Sequence, residues 1–345
     1  MLNTVSTYSL FAQPRTAVTN LQTQLTQAET EETTGQLADP VQSLGSQIGL
    51  YESLSNQVAS FANTQTSNSV AQTALTVSQN TLSSISSDAQ TFVNALLTAQ
   101  SSGDVSTLQT EAQSLLSSFT SDLNTTSAGA YVFGGTNSSV APMADYSGAP
   151  QAATAAAFQS AFGFAQSSSQ ASSITASSMQ SFLSGPFANL FSDPSWGSNW
   201  SQASSTATSA VIAPGESVPT SVSANEAAFQ DLASAYTSIA DLGIGNLNSS
   251  AQQAIVTSAL SQANAGMQGI SDVQTTLGLS QSQLTNANTA LQTQGSAVSN
   301  LVSQLDTVDP YQAATTLTDL TTQLETAYGL TNQISKLGLV NYLAT

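Results

Sequence analysis

The sequence predicts a mainly α protein: an elongated antiparallel bundle, coiled-coil-like, built by the N- and C-terminal halves around an inserted, partly β middle. Three observations predict it. From Ile270 to Val308 an apolar seam recurs every three or four residues, through Val273, Leu277, Ser280, Leu284, Ala287, Leu291, Gln294, Val298, Leu301 and Leu305. Matching seams occur in the front half. Between them lies a segment of different composition, with Pro142, Pro150, Pro186, Pro194, Pro214 and Pro219 and both tryptophans.

The long seam averages 3.5 residues per step, a spacing that keeps one helix face on a partner only if the helices supercoil. Extended back through Val256, Ala259, Ala263 and Gly266, it predicts one helix of about 50 residues, about 75–80 Å long. A helix that long orders more backbone than its own seam can offset, so others must pack on it. The front seams supply them. One reads Val41, Leu44, Ile48, Tyr51, Ser55, Val58, Ala62; the next reads Ala71, Leu75, Ser78, Leu82, Ile85, Ala89, Phe92, Leu96. After a turn at Ser101-Ser102-Gly103-Asp104 comes Val105, Leu108, Ala112, Leu115, Phe119. An antiparallel zip of front and back is the economical fold, and it places Leu82 near Leu291.

Two Asp-Pro pairs mark boundaries. Asp is a good N-cap and Pro a good first helical residue, so Asp39-Pro40 and Asp309-Pro310 each end one helix and begin another. The expected organisation is a terminal helical layer (1–39 and 310–345), a central bundle (40–140 and 226–309) and an insert (141–225). Both terminal stretches are amphipathic, through Val18, Leu21, Leu25 and Ala28 in front and Leu317, Leu320, Leu324, Ala327, Thr331 and Ile334 behind. Periodic but terminal, they read as helices that order when packed. In the insert, 151–166 reads as helix and Ser217–Ser223 as a weak strand. Phe182, Leu183, Phe187, Leu190, Phe191, Trp196 and Trp200 read as a local core.

Composition narrows the function. The chain has 20 acidic residues against two basic ones, Arg15 and Lys336, for a net charge of −18. Phosphate recognition depends on Lys and Arg, so nucleic acid and anionic membrane are excluded as partners. No apolar run is long enough to span a bilayer, and the N-terminus lacks the basic and apolar regions of a cleaved signal. Without cysteine or histidine, thiolate or imidazole metal sites, disulfides and Ser-His or Cys-His catalysis are ruled out. Asp145, Asp193 and Asp231 sit in no calcium-loop pattern, and adjacent Glu31 and Glu32 point to different helix faces. No catalytic, cofactor or metal residue is expected, and the chain does not read as an enzyme.

Three stretches carry a family resemblance. Leu21 to Pro40 (LQTQLTQAETEETTGQLADP), Gly129 to Met143 (GAYVFGGTNSSVAPM) and Asp309 to Leu343, with its Leu-x-x-Tyr-Leu ending, resemble the flagellin superfamily, most closely its hook–filament junction members. In such proteins the Tyr-x-Phe-Gly-Gly-Thr piece is a hairpin leaving the bundle, here Tyr131, Phe133, Gly134 and Gly135. The resemblance implies a structural, secreted flagellar protein, exported unfolded by the flagellar type III route without a cleaved signal, that self-assembles into a helical ring outside the cell. It further implies a larger hook-associated protein on the hook side and flagellin on the filament side. An export chaperone would hold the terminal helix. The assembly and chaperone residues are then Val18, Leu21, Leu25, Leu317, Leu320, Leu324, Ile334, Leu339, Tyr342 and Leu343. The alternatives are a filament flagellin or, in a different class, a surface adhesin acting through Trp196 and Trp200. The basic positions expected around Gly35–Pro40 are missing, which removes any ion pairs they would make between subunits.

Overall fold

The computed structural model describes residues 7–336, with side-chain environments from 12 to 334. The front half runs through α1 (Thr7–Thr34), α2 (Pro40–Leu44), α3 (Ile48–Ser102) and α4 (Leu108–Leu123). Strands β1 (Thr126–Ser127) and β2 (Ala130–Tyr131) follow, then α5 (Ala149–Phe162), α6 (Ala176–Phe182) and α7 (Ser195–Asn199). A second hairpin, β3 (Ser209–Ala213) and β4 (Glu216–Pro219), precedes α8 (Ala227–Asp241), α9 (Ser249–Asp306) and α10 (Pro310–Lys336). Both hairpins are antiparallel. The chain is mainly α with a partly β middle, and it divides into two compact units, 1–62 with 292–345, and 63–291.

In the unit 63–291 the predicted seams meet. Ala71, Leu75, Ser78, Leu82, Ile85, Ala89, Phe92 and Leu96 are all buried, as are Ile270, Leu277, Ser280, Leu284, Ala287 and Leu291. Side-chain amides fix the antiparallel register. Gln79 donates to the Gln274 carbonyl at 2.7 Å, Gln274 to Ser83 Oγ at 3.2 Å, and Asn68 Nδ2 to Asn288 Oδ1 at 2.8 Å. The register corrects one expectation. Leu82 lies at the level of Gln274, about 25 Å along the helix from Leu291, because an antiparallel pair moves apart by one residue on each strand.

Local chemistry explains the breaks. Gly103, at φ 75°, ends α3 by donating to the Ala99 carbonyl at 2.8 Å, a conformation other residues adopt at a cost. Asp104 then accepts from the Ser106 amide at 2.9 Å. The following helix starts at Leu108, leaving Val105 in the turn, and it buries Leu116 more deeply than the expected Leu115. Around α8 the core is aromatic. Phe92 and Phe119 stand 4.9 and 5.8 Å from Tyr236, and Phe119 and Phe133 stand 6.3 and 5.8 Å from Phe229. Helix α8 presses on α9 where there is no Cβ: one added at Gly266 would lie 2.7 Å from Leu232 Cγ, and one at Gly269 2.7 Å from Ala228 Cβ.

The insert's aromatics form a run of ring contacts from Phe158 and Phe182 through Phe187 and Phe191 to Trp200, which stacks on Trp196 at 5.4 Å. This cluster is not local, as the sequence suggested. It is continuous with the bundle core.

In the unit formed by 1–62 and 292–345, α1 and α10 pack on each other. The linkers that end α1 and α9 are clipped together, Leu37 N–H to the Asp306 carbonyl at 2.9 Å and Val308 N–H to the Gly35 carbonyl at 3.0 Å. Both Asp-Pro pairs restart helices as expected: Asp39 accepts from Gln42 N–H at 3.1 Å and Asp309 from Tyr311 N–H at 2.9 Å. Five seam positions of this unit differ from expectation, among them Gln294 and Leu301, which are exposed. Val41 is 65% exposed because α2 is a five-residue turn ended by Gly45 at φ 51°. Phe61 is partly buried where Ala62 is exposed, and Val308 lies beyond the end of α9.

Phe229 is fully buried between two rings, so Phe229→Ala is expected to cost about 3–5 kcal/mol of stability, read as a lower urea midpoint.

Candidate assembly surfaces and the hairpin clasp

The terminal helices are the first candidate surface. On α1 the positions Val18, Leu21 and Leu25 are half-buried, and on α10 so are Leu317, Leu320, Leu324 and Ile334. Ala28 and Ala313 are buried, and Gln22 Nε2 donates to the Tyr328 hydroxyl at 2.7 Å. The two predicted rows therefore belong to one helix pair within a single chain. Leu339, Tyr342 and Leu343 lie outside the described residues. Of the exposed large apolar side chains of this unit, sequence periodicity singled out only Val41 and Leu301, and as covered seam positions. Tyr311 is 88% exposed, Leu330 55%, Leu50 54%, Tyr328 49% and Leu301 48%.

The second candidate is the Tyr-Val-Phe-Gly-Gly-Thr hairpin. Ala128 and Gly129 turn between β1 and β2 with φ of 50° and 83°, two consecutive left-handed residues of the kind a two-residue hairpin demands. Tyr131 is half-buried; Phe133, Gly134 and Gly135 are buried. The motif's backbone then bonds outward. The Phe133 carbonyl accepts from Ala224 N–H at 2.8 Å, the Gly134 carbonyl from Ser204 N–H at 3.0 Å, and Thr136 N–H donates to the Thr206 carbonyl at 2.9 Å. A Cβ at Gly135, whose φ is 59°, would lie 2.2 Å from the Ser204 carbonyl oxygen. The glycines let the chain leaving the bundle lie flat against the chain returning to it.

Two asparagines that sequence reading missed complete the clasp. Asn124 donates to the Met143 carbonyl at 3.0 Å and accepts from its N–H at 2.8 Å, imitating a strand neighbour. Asn225 accepts from Trp196 Nε1 at 3.0 Å and donates to the Ala203 carbonyl at 2.9 Å. Lone asparagines in loops leave no periodic signal, so only the fold reveals these roles.

Chemistry elsewhere is sparse. Residues 63–291 contain no Lys, Arg or His. Hydrogen bonds from Ser106 and Ser147 hold the Asp104 and Asp145 carboxyls below the usual carboxylate range. Burial pushes Asp122, Asp231 and Asp241 above it, with Asp88 adding to the effect at Asp122. Among the described residues no three acidic groups converge on a metal position, and no helix is long and apolar enough to cross a membrane. Trp196 and Trp200 are 0% and 1% exposed, so neither offers a face on which a sugar could stack.

Paired terminal helical regions, a zipped bundle and a clasped insert define a class of helical structural protein. Comparison with known proteins gives the family: the bacterial flagellin N-terminal helical region matches residues 5–138 and the flagellin C-terminal helical region matches 260–343. The chain belongs to the flagellin superfamily, whose members are structural proteins that self-assemble into flagellar polymers outside the cell. Among solved structures it is similar in fold to a protein of Vibrio parahaemolyticus described as flagellar hook-associated. That match has a TM-score of 0.54 and 14% identity, covering 76% of this chain and 99% of the other. No curated protein matches the sequence significantly.

Gly135→Ala adds left-handed strain and a backbone collision. It is expected to cost about 2 kcal/mol or more in a denaturant melt, while Gly163→Ala, strained alike but in open space, costs about 1 kcal/mol.

Proposed function

We propose that this protein is the hook–filament junction adaptor of a bacterial flagellum, the role of hook-associated protein 3. The observation that carries this reading is the Tyr131–Thr136 clasp. It joins insert and bundle through backbone bonds and buried glycines, in a motif of the junction type. The terminal segments 1–39 and 310–345 form the layer that sets against sister molecules. Their helices pair in the isolated chain while Tyr311, Tyr328 and Leu330 remain exposed, so the pair has apolar surface left for neighbours. Head-to-tail packing of such surfaces gives a helical ring. In this reading one face of the ring meets the larger hook-associated protein and the other meets flagellin. Before export without a cleaved signal, a flagellar chaperone holds the α10 row Leu317, Leu320, Leu324 and Ile334.

The second reading is a filament flagellin, favoured by the match of both terminal regions to flagellin itself. Seeded assembly of purified monomer separates them. The adaptor stops after about one turn of subunits, whereas a flagellin continues into long filaments; long filaments would overturn the adaptor reading.

Deletion of 310–345 is expected to abolish ring assembly and chaperone binding, read by electron microscopy and pull-down. The circular dichroism of 63–291 should persist, because its core uses none of the removed residues. Assembly by the truncated chain would show that the terminal layer is dispensable.

A further inference from the structure

The joint between the insert and α8 gathers three polar atoms that the chain itself leaves unpaired. Tyr146 and α5 come from the insert; Thr237 and Asp241 come from α8. Tyr146 Oη, Thr237 Oγ1 and Asp241 Oδ2 are buried, and none has a partner in hydrogen-bonding geometry. They are neighbours all the same: the polar groups around the Tyr146 hydroxyl are Asp241, Thr154 and Thr237. The other donors here are spent. Gln151 on α5 donates to Asp241 Oδ1 at 3.3 Å, and Thr154 donates to the Pro150 carbonyl at 3.0 Å. From α4, Gln109 and Gln113 donate to the Ala240 carbonyl at 3.1 and 3.3 Å.

Thr237 differs from its counterparts. Threonines on α3 and α4 bond back to their own helix: Thr81 to the Val77 carbonyl at 3.0 Å, Thr98 to Asn94 at 2.9 Å and Thr120 to Leu116 at 2.9 Å. Thr237 makes no such bond, although it is 0% exposed and cannot turn to solvent instead. A hydroxyl so enclosed, and unbonded to its own backbone, needs a partner in the joint.

The inventory of donors and acceptors identifies that partner. Each hydroxyl has a proton to place, and the carboxylate oxygen has lone pairs to fill. Asp241 Oδ2 could take both protons directly, but neither hydroxyl reaches it. A cation would suit the three oxygens and still offer the two protons no acceptor. A water molecule accepts from both hydroxyls and donates to the carboxylate, and about three hydrogen bonds is the usual number for a buried water.

We propose that one water molecule is a built-in part of this joint, accepting from Tyr146 and Thr237 and donating to Asp241 Oδ2, and that it helps fasten the insert to α8. Tyr146 is also one wall of an open groove of about 440 Å³ against α4, shared with Ser117, Asn124 and Asp145, which gives solvent a route to the site. A water bridge ties the two elements without requiring their side chains to meet, and its bonds support one another.

The first test is a crystal structure of the full chain that shows ordered solvent. The expected result is one density peak about 2.5–3.0 Å from all three oxygens. An empty joint, or hydroxyls bonded straight to Asp241, overturns the proposal. So does a peak that vanishes when choline replaces sodium and potassium in the medium, which would be a cation. The second test is energetic. Tyr146→Phe and Thr237→Val each remove one hydroxyl and keep the side chain's shape. If both hydroxyls hold one water, the double variant's unfolding constant should fall short of the product of the two single effects by at least about threefold in denaturant melts. Single effects that multiply with no shortfall would mean that the hydroxyls act separately, and the bridge would be wrong. Should either variant fail to fold, the wild-type density decides.

Discussion

The fold depends on the pairing of α3 with α9, and that pairing works under an unusual constraint. With two cations in the whole chain, helices cannot be matched by ion pairs. Specificity falls to the apolar seam and to side-chain amides that reach across it. Buried Asn68 shows how. One N–H of its amide reaches Asn288 on α9, and the amide also donates to the Ile212 carbonyl on β3 at 3.0 Å. A polar side chain in an apolar seam stabilises less than leucine would, but it penalises every register that leaves it unpaired. The same residue bonds a hairpin of the insert to the bundle, so one side chain contributes both to the alignment of the helices and to the placement of the insert.

The terminal helices follow a different economy. Helix α10 is rich in threonine, and Thr315, Thr318, Thr321, Thr322, Thr326 and Thr331 each donate to the carbonyl four residues back. These bonds satisfy the hydroxyls without linking α10 to anything else. Threonine is a weak helix former, because branching at Cβ restricts its rotamers and its hydroxyl competes for the backbone. A helix so composed gains little from propensity and depends on what covers its apolar row. Solubility here does not depend on the packed state: hydroxyls and amides stay hydrated whether or not the helix is covered, and the sequence has no cysteine to crosslink.

The helices and their meeting were legible because periodicity is a property of spacing alone. The seam from Ala71 to Leu96 is buried at every position read from it. Where reading failed, local geometry had intervened. Gly45 detached Val41 from the long helix, and the turn before Leu108 moved the α4 face from Leu115 toward Leu116. The insert's rings were recognised as core, yet their continuity with Phe229 and Tyr236 depends on α8, whose partners no pattern in the sequence names. Asn124, Asn225 and the Asp241 joint were invisible for a simpler reason. Each works by tertiary hydrogen bonding at a single position, and a single position has no period.

Burial along α9 connects this packing to assembly. The repeat continues past Leu291 at the same spacing, but the residues no longer disappear from solvent: Gln294 and Leu301 are exposed, and Val298 and Leu305 are only half-covered. On α3 none of residues 48 to 67 is buried, and the first that is, Asn68, belongs to the zip. With Val298 and Leu305 half-covered and Leu301 exposed, this stretch of α9 keeps apolar surface open to solvent that the buried stretch does not. A self-assembling protein needs this arrangement, because surface completed only by a sister copy rewards polymer formation while the buried stretch keeps the monomer folded.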